Sequence, residues 1–148
     1  MNNLFSLDGK KVLVAGSNGM VGSAVCRKLK ERNCKIIQSS RSEVDFTRQL
    51  EVEKWISAKK PDVIIICAAK VGGILANDSF SADFIYENLL IECNLIKAAH
   101  QNKIQKLLFL GSSCIYPKFA MQPMDESLLM SGPLEETNES YAVAKIAG

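Results

Sequence analysis

Apolar residues along the 148-residue chain come in two patterns. Short runs with apolar centres alternate with longer stretches in which apolar positions recur every three to four residues. The runs Lys11–Gly16 (KVLVAG), Lys35–Ser40 (KIIQSS), Val63–Cys67 (VIIIC) and Lys106–Gly111 (KLLFLG) have strand length. Between them Met20–Asn33, a stretch from about Thr47 to Lys59, and Asp78–Gln101 read as helices. The first carries Val21, Ala24, Val25 and Leu29 on one face, and the third carries Ile85, Leu89, Cys93 and Ile96 near one stripe. A very short further strand is expected at Glu43–Asp45, and a last helix from near Asn138. Strands apolar on both faces belong to parallel sheets covered by helices on each side. Repeated strand–helix–strand order with right-handed crossovers then predicts an α/β fold with a doubly wound parallel sheet, the Rossmann fold. The irregular stretch from Cys114 to about Asn138, with Pro117, Pro123 and Pro133, is longer than an idle connection needs, and such loops are often functional.

The junction between the first strand and the first helix holds three glycines in seven residues: Gly16-Ser17-Asn18-Gly19-Met20-Val21-Gly22. A glycine run alone arises easily by chance. Between a strand and a helix it has the context of a dinucleotide fingerprint. Gly16 permits a tight turn, Gly19 lets the backbone approach a pyrophosphate, and Gly22 lets helix and strand pack closely. The phosphates would then meet free N–H groups at a helix N-terminus. An NAD site usually ends its second strand with a carboxylate about 20 residues beyond the glycines, bonded to the ribose. Here the strand runs out as Gln38-Ser39-Ser40-Arg41. A guanidinium in that place suits a 2′-phosphate and so NADP(H); alternatively, Arg41 is a solvated loop residue.

Composition narrows the partners. Hydrophobic residues make up 47% of the chain and charged residues 23%, as in ordinary globular domains, and the length fits one domain. Net charge is +2, yet residues 1–70 hold 13 Lys/Arg against 7 Asp/Glu while the remainder holds 5 against 9. A basic half can bind nucleic acid, but these cations are interspersed with Glu along the expected helices, so a solvated surface or a small anionic ligand is preferred. The five cysteines (Cys26, Cys34, Cys67, Cys93, Cys114) are odd in number and lack metal-binding spacing, and the single histidine, His100, is expected at an exposed helix end. No metal is expected. Reduced thiols and no secretory signal predict a cytoplasmic protein, and the longest apolar run, Val63–Ala69, is too short to cross a membrane.

Two late segments carry candidate chemistry, LGSSCIYP (Leu110–Pro117) and YAVAK (Tyr141–Lys145). Tyr141 and Lys145 lie at i and i+4, so on a helix they share a face. An ammonium beside a phenol favours phenolate, which predicts a lowered Tyr141 pKa. A hydroxyl from the strand end could hold a carbonyl that Tyr141 protonates during hydride delivery.

With GxxGxxG, CAAKVGG, Ser-Ser at a strand end and Tyr-x-x-x-Lys in this order, the chain resembles the extended short-chain dehydrogenase/reductases. GMVGSAV, AAKVGGI, LGSSCIYPK, QPMDES and PLEETNESYAVAKIAG are similar to the branch that acts on GDP-4-keto-6-deoxy-D-mannose, over nearly the whole length. The resemblance implies an NADPH-dependent enzyme that epimerises C3 and C5 of a GDP-sugar and then reduces its C4 ketone, working as a homodimer. The alternatives are another nucleotide-sugar epimerase, dehydratase or reductase, or a non-catalytic NADP-binding sensor or subunit. It implies that Tyr141 is the general acid, Lys145 its ribose-binding partner, Ser112 the catalytic serine and Cys114 the epimerisation acid/base. Without the resemblance, Cys114 reads more simply as a buried small apolar residue, like Cys67. The resemblance further implies Asp45 beside the adenine, Ser40 with Arg41 at the ribose, Ala68, Ala69 and Leu110 along the cofactor, and Lys70–Gly73 towards the nicotinamide. Asn18 stands where some members have arginine, which leaves Arg41 more of any 2′-phosphate recognition. The family continues beyond Tyr-x-x-x-Lys with a substrate domain, so residues 1–148 are expected to be an incomplete NADP-binding domain, inactive alone.

Overall fold

A computed structural model describes residues 5–148. Four parallel strands, β1 (Lys11–Ala15), β2 (Lys35–Gln38), β3 (Val63–Ile66) and β4 (Lys106–Phe109), form one sheet in the order β2-β1-β3-β4. The chain divides into two compact units. The first runs to Ala68 and resumes over Cys93–Leu110; the second takes Ala69–Glu92 and Gly111–Gly148.

The first unit holds the sheet. Val12, Val14, Val63 and Ile65 point to one face and pack with Cys26 and Leu29 of α1 (Met20–Leu29). Leu13, Ile64 and Ile66 alternate with them and are fully buried, as are Val52 and Ile56 of α2 (Gln49–Lys59). Each fully buried Leu or Ile contributes on the order of 1.5–3 kcal/mol. The β1→β2 and β2→β3 crossovers run in opposite directions across the sheet, so right-handed connections put α1 and α2 on opposite faces. That is the doubly wound Rossmann arrangement. The reversal falls between β1 and β3, and sheets of this kind bind ligands at the C-terminal ends of the strands flanking it.

Several local expectations need correction. The buried face of α1 is Gly22, Cys26 and Leu29, whereas Val21 and Ala24 are exposed. Close packing at Gly22 turns the helix by about one residue from the face that apolarity alone selects. Glu43–Asp45 is not a strand: Ser40 O accepts from the amides of Glu43 and Val44 and closes a turn, with Val44 buried. Asp45 Oδ1 then accepts from Thr47 N and Oγ1 at 2.9 and 2.8 Å, an Asx turn that delays α2 to Gln49. The long helix is preceded by a separate α3 (Ile74–Ser79), and α4 spans Ser81–Gln101. Its buried stripe is Phe84, Asn88, Ile91, Glu92 and Leu95, while Ile85 and Leu89 are half-buried and Cys93 and Ile96 exposed. Cys67 follows β3 and is only half-buried; His100 is exposed in the last turn of α4, as expected.

The second unit is held by side-chain amides. Asn88 Oδ1 accepts from Lys70 N at 2.9 Å, and Asn88 Nδ2 donates to Lys70 O and Phe84 O. Asn77 Nδ2 likewise donates to Gly72 O and Gly73 O. The irregular stretch folds into three single 3₁₀ turns, at Ser113–Ile115, Glu126–Leu128 and Glu136–Asn138. Ser112, Asp125 and Glu135 cap them through their own side chains, and a Lys118–Glu135 ion pair of 3.0 Å adds a tie. α5 (Glu139–Ala147) follows directly.

Candidate active site

The glycine turn separates two kinds of requirement. Gly16 has φ +81°, and a Cβ there would lie 2.7 Å from the Ala68 backbone. A Cβ on Gly22 would lie 2.1 Å from Gly16 O. The chain's own backbone therefore excludes side chains at both positions. Gly19 differs: its Cβ would meet only Gly16 O, at 3.4 Å, and its φ of −76° is ordinary. Folding does not demand glycine at 19, so the open side of the turn is free for close approach by a ligand. Asn18, Gly19 and Met20 are exposed, whereas Ser17 is buried and donates to Ser39 O at 3.3 Å. α1 begins with no side-chain cap and no acid in its first turn, leaving its N–H groups and positive end available to an anion.

At the end of β2, Arg41 is exposed and Ser40 half-buried. A carboxylate does stand at this loop, one that spacing alone overlooks. Glu43 Oε2 accepts from Ser40 N at 3.0 Å and Ser40 Oγ at 3.2 Å, and those two bonds hold its carboxyl below the usual range. Glu43 is thus committed to shaping the turn that carries Arg41. Asp45 is lowered too, first by the Thr47 amide and hydroxyl, then by Arg48 and Arg41. Ala68 and Leu110 lie at the ends of β3 and β4, both half-buried, and Leu110 N donates to Ile66 O at 3.4 Å. Ala69 opens the second unit, also half-buried.

The second unit brings Ser112, Cys114, Tyr141 and Lys145 together. Ser112 Oγ accepts from Cys114 N at 3.3 Å and so fixes the turn that presents the thiol. A cavity of about 290 Å³ is lined by Cys114, Tyr141, Asn138, Asn77, Phe84 and the Val71–Ile74 segment. Lys145 is 7% exposed and its Nζ sits 5.9 Å from the centre of the Tyr141 ring. The Tyr141 phenol is pushed up, not down: burial outweighs the Ser112 hydrogen bond that favours phenolate, and the charges of Cys114 and Glu92 push further up. The ammonium over the ring face does not offset this, which corrects the expectation of a lowered Tyr141.

Asn138 joins this cluster unannounced. It occupies the N-cap of α5 yet makes no cap bond. Its Nδ2 instead donates to Cys114 Sγ at 3.4 Å, and its Oδ1 is buried without a partner, as is Asn77 Oδ1. An Asn immediately before a helical run signals a cap, which hides the bond to sulfur. Glu92, inside the apolar run LLIECNLI, is the second residue missed; a lone acid there was the visible signal.

Sheet order, glycine turn and the Tyr–Lys helix define a Rossmann-type domain of the dehydrogenase/reductase kind. Residues 12–148 match the NAD dependent epimerase/dehydratase family, and the chain belongs to that family. It is 57% identical over 145 residues to a GDP-L-fucose synthase of Sinorhizobium fredii, covering 98% of this chain and 46% of that protein. A GDP-L-fucose synthase of Escherichia coli is 52% identical, with 94% of this chain and 44% of that protein covered. Among solved structures, a GDP-mannoheptose C4 reductase from Campylobacter jejuni with NADP bound is 35% identical with a TM-score of 0.90, over 97% of this chain and 46% of that one. The chain thus spans about half the length of the relatives it matches.

Proposed function

We propose that this chain is the cofactor-binding and catalytic-acid part of a GDP-L-fucose synthase, converting GDP-4-keto-6-deoxy-D-mannose to GDP-L-fucose with NADPH. The observation that carries the reading is a thiol and a phenol, Cys114 and Tyr141, lining one cavity beside a buried lysine. A reductase alone needs the phenol and the lysine; the thiol adds a group able to exchange a proton next to a ketone.

The residues fit the dinucleotide. The open side of Gly19 and the uncapped start of α1 suit a pyrophosphate, with Gly16–Gly22 as its bed. Arg41 and Ser40 would hold the 2′-phosphate, Asp45 the adenine end, and Ala68 with Leu110 the length beyond it. When bound, NADPH supplies the hydride. Cys114 takes and returns protons at the carbons beside the C4 ketone. Tyr141, kept protonated by burial, then donates its proton to the oxygen of that ketone, with Ser112 aligning the carbonyl. Lys145, buried beside the phenol, holds its surroundings positive.

The assembly proposed is a homodimer, with exposed Tyr86 and Ile96 of α4 and Val143 of α5 as residues it would cover. Among the described residues no helix is long and apolar enough to cross a membrane; the location proposed is the cytoplasm.

The test uses a full-length protein carrying this chain. Cys114→Ser should slow solvent deuterium incorporation beside the ketone more than hydride transfer to an already epimerised substrate, and Tyr141→Phe should do the reverse. Equal loss of both steps in both variants rejects the division of labour. Full activity of Cys114→Ser on the unepimerised substrate points to simple reduction instead.

A further inference from the structure

α4 buries an acid that the proposed chemistry does not use. Phe84, Asn88 and Glu92, at i, i+4 and i+8, are 3%, 2% and 2% exposed. Asn88 spends its amide on backbone groups. Glu92 has no such bonds: neither carboxyl oxygen has a hydrogen-bond partner. Burying an unbonded carboxylate is among the costliest things a core can do. Most neighbouring residues in the run LLIECNLI are apolar, and a leucine at 92 would suit it better. A reason other than packing is needed.

The groups facing Glu92 supply one. From α5 the Lys145 ammonium attracts its charge, and the Tyr141 phenol is repelled by it. Cys114, from the first 3₁₀ turn, acts on the phenol as well. The other nearby charges on α4 and the preceding segment, Glu87 and Lys70, are already paired with each other. We propose that Glu92 is a positioning residue, a buried carboxyl that balances the Lys145 ammonium and keeps Tyr141 protonated until a carbonyl is presented to it. Burial pushes the Glu92 carboxyl up, and Lys145 pulls it back down. A fixed counter-charge behind the lysine prevents that lysine from stripping the phenol of its proton prematurely. This role rests on Tyr141 being the acid proposed above.

The experiment compares the 148-residue chain with its Glu92→Gln, Glu92→Asp and Tyr141→Phe variants by tyrosinate absorbance titration. Three tyrosines are present, and Tyr141→Phe isolates the signal of one. With Glu92→Gln the Tyr141 phenolate should form at lower pH than in the parent, and Glu92→Asp should restore the parent titration. A second readout is thermal stability against pH. A raised carboxyl keeps its proton in the folded state above the pH at which the unfolded chain releases it, so the parent loses stability as pH rises past the usual value of 4.5. The Gln variant should lack that pH-dependent loss. An unchanged or higher Tyr141 titration in Glu92→Gln overturns the proposal, as does a Gln variant whose stability falls with rising pH as the parent's does. If Glu92→Gln fails to fold, a downward Tyr141 titration in Glu92→Asp overturns it, and a parental one supports it. These outcomes are independent of the catalytic reading, which instead fails if Tyr141→Phe leaves hydride transfer intact in the full-length enzyme.

Discussion

Alanine at Gly22 and alanine at Gly19 should break different things. At Gly22 the added carbon would sit 2.1 Å from Gly16 O, with Gly16 C at 2.7 Å and Ser17 Cα at 2.9 Å. All three are backbone, so no side chain can swing away. Reaching the ordinary contact of 3.4 Å requires α1 and the turn to separate by about 1.3 Å, the difference between the two distances. Overpacking of this kind costs roughly 1–3 kcal/mol. In a domain of this size that lowers Tm by roughly 2–12 °C. At Gly19 the same substitution meets one atom at 3.4 Å, in a conformation alanine adopts freely. The loss of a favoured N-cap residue, about 1 kcal/mol, is offset by about 0.4–1 kcal/mol from the stiffer unfolded chain. Tm should therefore stay close to that of the parent. Binding should not: the new methyl projects into the space proposed for the pyrophosphate, and affinity for NADPH should fall at least about tenfold, or about 1.4 kcal/mol. Thermal melts and fluorescence titration with NADPH measure the two effects separately. Gly19→Ala that melts as early as Gly22→Ala, or that binds NADPH as the parent does, refutes the assignment of Gly19 to the ligand.

Arg41→Ala should remove about 1.5–3 kcal/mol of charge-assisted bonding to a 2′-phosphate, so NADPH binding weakens roughly 10- to 150-fold while NADH binding holds; paired titrations with both cofactors check this, and equal affinities in the parent would reject it. Acid should unfold the chain through carboxylates held low in the folded state. Asp45, bonded to Thr47, has its pKa lowered from 3.8, so the unfolded chain binds more protons there and stability falls as pH drops through and below that value. Asp45→Asn should flatten that limb of a stability-against-pH curve measured by denaturant titration.

Pattern reading succeeds here where one physical rule acts alone. Val63–Ile66 is buried on both sides, so a bare apolar run identifies the strand, and the glycine turn is readable because backbone contact admits no other residue at 16 or 22. It fails where polar groups do the packing. The buried side of α4 carries Glu92 together with Asn88 and Asn94, and the amides of the two asparagines bond to backbone at Lys70, Phe84 and Phe46, so hydrophobicity selects the stripe that is half-buried or exposed. The Glu43–Asp45 segment has one apolar residue between two acids, and those carboxylates bond to Ser40 and Thr47 in turns instead of flanking a strand. At the site, the Ser-Ser strand end and the Tyr141–Lys145 pair are legible as motifs, whereas Cys114 stands out only through the family resemblance. The unspent oxygens of Asn77 and Asn138 and the acid at 92 appear only when partners are counted in three dimensions.

Asn18 and Gly19 form the dipeptide most prone to spontaneous deamidation, in which the glycine amide nitrogen attacks the asparagine side chain and leaves aspartate or isoaspartate. Either product would put a negative charge, and in one case an extra backbone atom, at the mouth of a turn suited to anions. Here the attacking nitrogen is occupied: Gly19 N–H donates to Gly16 O at 3.0 Å, and that bond must open before the ring can close. The left-handed turn at Gly16 thus also governs chemical ageing of the loop. A batch of protein stored under conditions that loosen this turn would lose the proposed anion site by covalent damage while its sheet stayed folded.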